Sequence, residues 1–239
     1  MDPAYVAVHL EEDRSHWWFR GRLAIIRATL RRVLPERRVR LLELGCGSGN
    51  VLAALAEFGE AVGVDAHEGL AAAARAAGLD VRVGRLPDDL GVAPDWADAV
   101  LLLDVIEHVE DDVATLCAAR AGVGEGGLLV VTVPAYQWLW SGHDEVLGHR
   151  RRYTAAGLRA AVERAGFEVL RVSYFNTLLF PLLAAIRGWK RLRGDRGHDL
   201  HRPAAPLNRL LERVFALERH LVPRVALPFG ASLLLIGRR

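Results

Sequence analysis

The chain has 239 residues, 51% of them hydrophobic and 25% charged. That composition supports one sizeable core, excludes a disordered chain and is short for two ordinary domains with a linker. Two cysteines, Cys46 and Cys117, cannot form a disulfide scaffold and stand in no metal-ligand spacing.

The opening stretch MDPAYVAVHLEEDR is acidic and carries no apolar run, so no secretory signal is expected. The longest apolar stretch of the second half, residues 174–186, is interrupted by Asn176 and Pro181. It falls short of the ~20 residues that a spanning helix needs. A soluble, cytoplasmic protein is the expectation. The formal net charge of +2 hides an asymmetry, because residues 1–146 carry 13 basic against 23 acidic side chains and residues 147–239 carry 18 against 6. A basic second half suits an anionic substrate, an acidic membrane surface or nucleic acid, or simply docks on the acidic first half.

In chain order, residues 16–34 show helical periodicity, with Trp18, Ile25, Ile26, Leu30 and Leu34 on one face and arginines on the other. Pro35 ends that helix. Apolar runs then alternate with helical segments. Strands are predicted at 39–44, 61–65, 80–84, 98–104 and 126–134, with helices at 50–58, 68–77 and 111–120 between them. Strands that are apolar throughout, separated by helices, argue for a parallel sheet covered on both faces.

The stretch YQWLWSGHDEVLGHRRRY after residue 134 is polar, aromatic and irregular, and reads as a functional loop. A helix from Thr154 to about residue 165 and a strand at 167–175 follow. Beyond them come an apolar-then-basic helix (177–192), a Gly/His/Pro linker (194–206), an amphipathic helix (207–221) and a last strand (232–239). No internal repeat is evident.

The strongest local signal is Glu43-Leu-Gly45-Cys-Gly47-Ser-Gly49-Asn50, directly after one strand and before one helix. Glycines let the backbone turn sharply and approach a ligand closely. Asp65 ends the next strand, where a carboxylate can accept both hydrogen bonds of a ribose diol. The pair fits an adenosine moiety. The glycine spacing is not the G-x-G-x-x-G of dinucleotide sites, and Glu43 suits an ammonium group better than a diphosphate. A nicotinamide enzyme is therefore disfavoured.

These residues resemble the class I S-adenosylmethionine-dependent methyltransferases, in particular the UbiE/UbiG-like small-molecule group. ELGCGSGN matches their first motif and GVD at 63–65 their second-strand acid. DVIEHVEDD at 104–112 matches the segment after the fourth strand, and GEGGLLVVTVP at 124–134 the fifth. The resemblance covers about residues 39–175 and the last strand. It implies a Rossmann-like, seven-stranded, mostly parallel sheet with helices on both faces and an antiparallel last strand.

By that resemblance the chain is one methyltransferase domain. Residues 1–38 form an N-terminal helical lid, 39–175 and 231–239 the core, and 176–230 a helical insertion. S-adenosylmethionine is the implied cofactor, held by Glu43, Gly45, Gly47, Gly49, Asp65, Ala66, Asp104 and Val105, with Trp18 on the lid. One departure stands out. Family members often place an Asp after the third-strand glycine to hold the adenine amino group, whereas this chain has Gly84-Arg85-Leu86-Pro87. Backbone contact around Arg85 and Leu86 is expected instead.

Methyl transfer from a sulfonium needs an aligned acceptor and a home for its proton. His143 is the first candidate base and His149 the second, with Asp144 to orient the imidazole; His108 is a further candidate in a position that is largely architectural in this group. The alternative for this loop is structural, with Asp144 paired to Arg151 or Arg152 and the histidines solvated. His143, Asp144 and His149 also form a conceivable two-His-one-carboxylate metal set, but nothing else supports it, and no metal is expected.

Trp17, Trp138, Trp140, Arg152 and Tyr153 are candidate acceptor contacts, with Arg152 on an anionic or carbonyl group. The aromatic residues serve equally as core packing. The 176–193 segment reads as a lid over a greasy acceptor, a dimer interface or a peripheral membrane contact.

The expected reaction is methylation of a small, apolar or lipid-like metabolite, at oxygen first and at nitrogen or carbon second, by a monomer or homodimer. A non-methyl reaction such as a cyclisation is one alternative. Nucleic-acid methylation is another, disfavoured because Asp104-Val-Ile-Glu107 stands where an NPPY-like tetrapeptide would be, and no accessory nucleic-acid domain is present.

Overall fold

The computed structural model describes residues 15–193 and 203–239. The acidic opening stretch and most of the expected 194–206 linker lie outside the described residues. The elements are α1 (Trp17–Val33), β1 (Val39–Leu44), α2 (Asn50–Leu55), β2 (Gly59–Asp65), α3 (Glu68–Ala76), β3 (Val81–Val83) and β4 (Ala97–Leu103). They continue with α4 (Asp112–Gly122), β5 (Val123–Pro134), α5 (Gly142–Leu147), α6 (Ala155–Arg164), β6 (Glu168–Phe175), α7 (Phe180–Leu192), α8 (Ala205–Ala216) and β7 (Ser232–Arg238). Single 3-10 turns stand at Gln137–Leu139 and Leu217–His220.

One seven-stranded sheet has the order β3-β2-β1-β4-β5-β7-β6. The first five strands pair in parallel, and β7 runs antiparallel between β5 and β6. The strand order reverses at β1 and β4, and open α/β sheets bind ligands at the carboxyl ends of strands beside such a switch. The Rossmann-like expectation is therefore met in order and direction.

The central strands are buried on both faces, which is why they read as unbroken apolar runs. One face, through Leu42, Leu102 and Val131, packs under α4 and α6 with Leu116, Ala119 and Leu158. The other, through Leu41, Leu101 and Val130, meets α1, α2 and α3 with Ile26, Leu30, Leu52 and Ala71. A third cluster, with Ile25, Phe175, Phe215 and Leu234, seals α1 and α8 onto β6 and β7.

Side-chain caps start four of these helices: His16 for α1, His67 for α3, Asp111 for α4 and Thr154, the one read from the sequence, for α6. The irregular stretch after β5 holds a short helix, α5, that periodicity does not reveal. A capping box makes it, since Ser141 and Asp144 exchange side-chain and backbone hydrogen bonds across the first turn.

Helix α1 is tied to the far end of the chain. The Asn208 side chain accepts from the Trp17 amide at 2.9 Å and donates to the Ser15 carbonyl at 2.9 Å. Trp17 meets Phe215 edge to face, with centroids 5.7 Å apart. No helix among the described residues is long and apolar enough to cross a membrane.

Candidate functional site

The carboxyl ends of β1, β2, β4 and β5, roofed by α1 and α7, enclose a cavity of about 1330 Å³. That exceeds the ~300–1,000 Å³ usual for one drug-sized ligand, so a cofactor and an acceptor have room side by side.

Its floor is the glycine turn after β1. Gly45, Gly47 and Gly49 have φ of 73°, 55° and 78°, the left-handed region that side chains disfavour. A Cβ on Gly45 would stand 2.6 Å from Val105, and one on Gly49 2.4 Å from Leu79, so both positions exclude larger residues. Glu43, only 3% exposed, lies at the end of β1 in the cavity wall.

Asp65 is set by its backbone surroundings. One carboxylate oxygen accepts from the Gly47 amide and the other from the His67 amide, each at 2.8 Å. Each oxygen keeps a second lone pair for a ligand hydroxyl. Ala66, Arg85, Leu86, Asp104 and Val105 share the same wall. Asp104 has φ of 59°, a strained conformation for a non-glycine residue, where β4 hands over to the next loop.

Above this floor, Arg22 on α1 is 7% exposed and places Nη2 2.7 Å from Asp104 Oδ2. The Trp18 ring lies 5.1 Å from the same guanidinium. Trp17 and Trp18 both line the cavity while also packing α1 onto the Phe175 and Phe215 cluster.

The histidines separate sharply. His149 Nδ1 lies 2.8 Å from Asp144 Oδ1. A carboxylate only accepts, so Nδ1 is the donor, and in the neutral tautomer that this selects Nε2 is the nitrogen with the lone pair. His149 lines the cavity with a side chain 7% exposed. His143 lines the cavity as well.

His108 is a poor base. Burial first, and the neighbouring His149 second, push its pKa down to about 4. The two rings meet edge to face, with centroids 4.6 Å apart.

Asp144 itself is fully buried and is not part of the cavity wall. Arg152 grips it from Nε at 2.7 Å and from Nη2 at 3.0 Å. Burial alone would raise this carboxyl, but hydrogen bonds from His149 and Arg152, with the Arg152 charge, hold it well below the usual range.

The same geometry revises the role expected of Arg152. It reaches the cavity wall, yet all three guanidinium nitrogens donate within the protein, the third to the Ala135 carbonyl at 3.0 Å. Its neighbours are also structural. Arg150 donates to the His108 carbonyl, and Arg151 to the carbonyls of Val109 and Glu110, stitching the two loops together.

Three other expected contacts lie elsewhere. Tyr153 is buried in the core and donates to Asp112 Oδ2 at 2.7 Å. Trp140 is not part of the cavity wall. Trp138 is 53% exposed and stacks outside on Tyr136. Position on a loop decided these cases, and side-chain direction along a loop has no period to read.

Sequence reading missed Arg22 on α1 and two further polar residues of the wall. Glu107 is fully buried at the cavity wall, and neither carboxylate oxygen has a hydrogen-bond partner among the described residues. Burial first, then the Asp104 charge, raises its pKa well above the ordinary value and favours the neutral acid. Asn176, 1% exposed, likewise lines the cavity with neither amide atom partnered. The glutamate was visible in the Glu-His pair, but its orphaned state is a property of tertiary burial.

The His143, Asp144 and His149 set is not assembled as metal ligands, since Asp144 is committed to Arg152. Among the described residues, Glu107, His108 and His149 instead bring one donor atom each within 4.8 Å of one another, a spacing that could hold a cation.

The chain matches, over residues 17–172, a protein family described as a methyltransferase domain. Ubiquinone biosynthesis O-methyltransferases from Azorhizobium caulinodans and Parvibaculum lavamentivorans are 33% and 32% identical over 159 and 136 residues. Those alignments cover 58% and 52% of this chain and 62% and 53% of the relatives. A third, from Cereibacter sphaeroides, is 37% identical over 41% of this chain and 42% of its own length. The chain thus spans about half the length of the curated relatives it matches.

Among solved structures, the complex of the Haloferax volcanii Trm112 methyltransferase activator with a methyltransferase contains a chain with TM-score 0.65 and 22% identity. The match covers 98% of this chain and 94% of that one. An S-adenosylmethionine-dependent methyltransferase from Mesorhizobium loti has TM-score 0.59 and 19% identity, over 90% of this chain and 98% of its own. The [4+2]-cyclase SpnF shares the fold with TM-score 0.58 and 19% identity, over 92% of this chain and 81% of its own. With the glycine turn, the second-strand acid and the sheet order in place, the chain belongs to the class I S-adenosylmethionine-dependent methyltransferases.

Proposed function

We propose that this protein transfers the methyl group of S-adenosylmethionine to an oxygen of a small, apolar or lipid-like acceptor, with His149 as the base. The observation that carries the reading is the Asp144-supported His149 in the same cavity as the glycine turn and Asp65.

The residues present fit the cofactor. Gly45 sits where any Cβ would strike Val105, leaving backbone close to a ligand, and buried Glu43 suits an ammonium group. Asp65 suits the ribose diol, and the 84–87 turn supplies backbone to the adenine. The cofactor supplies an activated methyl group on a sulfonium, so the protein need only orient the acceptor and accept its proton.

His149 Nε2 takes the acceptor hydroxyl proton. Asp144 then steadies the imidazolium through Nδ1–H, as a buried carboxylate does for a catalytic histidine. His108, held neutral by burial, packs against the ring and limits its rotation. Trp18 and Arg22 close the cavity from α1 and keep water away. The acceptor's apolar body lies along Leu179, Leu183 and Leu211, and its polar group meets the unpartnered Asn176 amide.

His149→Ala should lower turnover ~10²–10⁴-fold while leaving S-adenosylhomocysteine affinity within a few-fold. His143→Ala should cost less. Formation of S-adenosylhomocysteine with each product molecule separates methyl transfer from a cyclisation. Unchanged turnover in His149→Ala sinks the assignment of the base.

A further inference from the structure

The outer face of α7 is apolar, uncovered among the described residues and continuous with the cavity mouth. Leu182, Ile186 and Trp189 follow one another along it at helical spacing and are 55%, 45% and 54% exposed, and Leu178, just before the helix, is 47% exposed. Leu182 and Ile186 also belong to the cavity wall, so the cavity opens onto this stripe.

The stripe broadens through an aromatic cluster. Phe180 lies 6.0 Å from Trp138 and 5.7 Å from Phe229, ring centroid to centroid, and both of those residues are exposed. A contiguous patch of this kind on a globular chain marks an interaction surface.

Charge selects the partner. Between residues 177 and 194 the sequence carries four cations and not one acid; Arg187 donates to the Leu139 carbonyl at 2.9 Å in the cavity wall, which leaves Lys190, Arg191 and Arg193 for an outside partner. Arg193 stacks its guanidinium 4.0 Å over the Trp189 ring, at the C-terminal end of the apolar stripe. An apolar face ending in tryptophan and cations matches the layering of an anionic bilayer, with acyl chains below and phosphates above. A second copy of the chain offers no acid in this stretch to meet those cations, and would cover the cavity mouth.

We propose that α7, with Trp138 and Phe229, docks the protein on the surface of an anionic bilayer, so that an apolar acceptor passes from the membrane into the cavity. The acceptor's route rests on the methyl-transfer reading above, whereas the docking itself does not. The helix is too short and too basic to span the bilayer and lies along its surface.

The test is flotation of the full chain with vesicles of phosphatidylcholine alone, and of three parts phosphatidylcholine to one part phosphatidylglycerol. The wild type should float with the anionic vesicles at least tenfold more strongly than with the neutral ones, and less so as salt rises. Trp189→Glu should weaken that partition tenfold or more, with S-adenosylhomocysteine affinity unchanged as the control for folding. The double replacement Lys190→Glu and Arg191→Glu should do the same.

A wild type that binds S-adenosylhomocysteine yet ignores anionic vesicles at low salt overturns the proposal. So does Trp189→Glu floating like the wild type, or a dimer that Trp189→Glu dissolves in the absence of any vesicle binding. Vesicle binding without S-adenosylmethionine binding would instead overturn the methyl-transfer reading alone.

Discussion

Asp144→Asn removes one negative charge from a site with no exposure to water. The aspartate accepts from His149 Nδ1, from Arg152 twice and from the Ser141 amide, all between 2.7 and 3.0 Å. Asparagine keeps one accepting oxygen and turns an amide donor toward a guanidinium, so half of these bonds are lost and donor meets donor. Arg152, with a side chain 3% exposed, then stays buried without its counter-charge.

Breaking a buried ion pair from one side costs about 3–5 kcal/mol, a large share of the ~5–15 kcal/mol that holds a typical domain folded. Urea unfolding followed by circular dichroism should show the loss as a midpoint lowered by ~1–2 M. Replacing both partners with apolar groups, Asp144→Leu with Arg152→Met, should recover at least ~2 kcal/mol of it, because no charge is then stranded. A single variant within ~1 kcal/mol of wild type, or losses that simply add in the double variant, would refute the argument that this pair anchors the loop.

Other outcomes follow from the same geometry. Asp65→Ala should weaken S-adenosylhomocysteine binding by about 10²-fold in calorimetry, since hydrogen bonds to a carboxylate are worth ~1.5–3 kcal/mol each; unchanged affinity would place the ribose elsewhere. His108, whose pKa burial lowers to about 4, binds its proton later in the folded than in the unfolded chain. Its stabilising contribution is therefore complete above ~6.5 and is lost as pH falls toward 4, by about 3 kcal/mol at most. Denaturation midpoints measured across that window should flatten in His108→Gln; an equal slope in the variant would contradict the buried, neutral ring. Gly21→Ala would bring a Cβ within 2.4 Å of Phe215 and should cost ~1–3 kcal/mol by overpacking α1 against α8, with a thermal melt unchanged by the substitution counting against that packing.

What the sequence determined by itself is the local and the periodic. The strands at 39–44 and 98–104 were legible because burial on both faces requires unbroken apolar runs. The glycine turn and Asp65 were legible because a tight left-handed turn admits few residue types, and because the next strand's acid lies a fixed distance along the chain. Helix α5 escaped, since six residues held by a capping box carry no amphipathic period.

Tertiary structure decided the rest. Only the approach of distant segments commits Asp144 to Arg152 and His149, turning a run of apparent ligands into one supported imidazole. Only burial leaves Glu107 and Asn176 without side-chain partners among the described residues at the cavity wall. Residue type alone does not say whether a loop tryptophan faces the cavity, as Trp17 and Trp18 do from a helix, or the solvent, as Trp138 does. Those outcomes depend on which groups lose water when the sheet, α1 and α7 close around one space, and water loss is a property of the assembled fold.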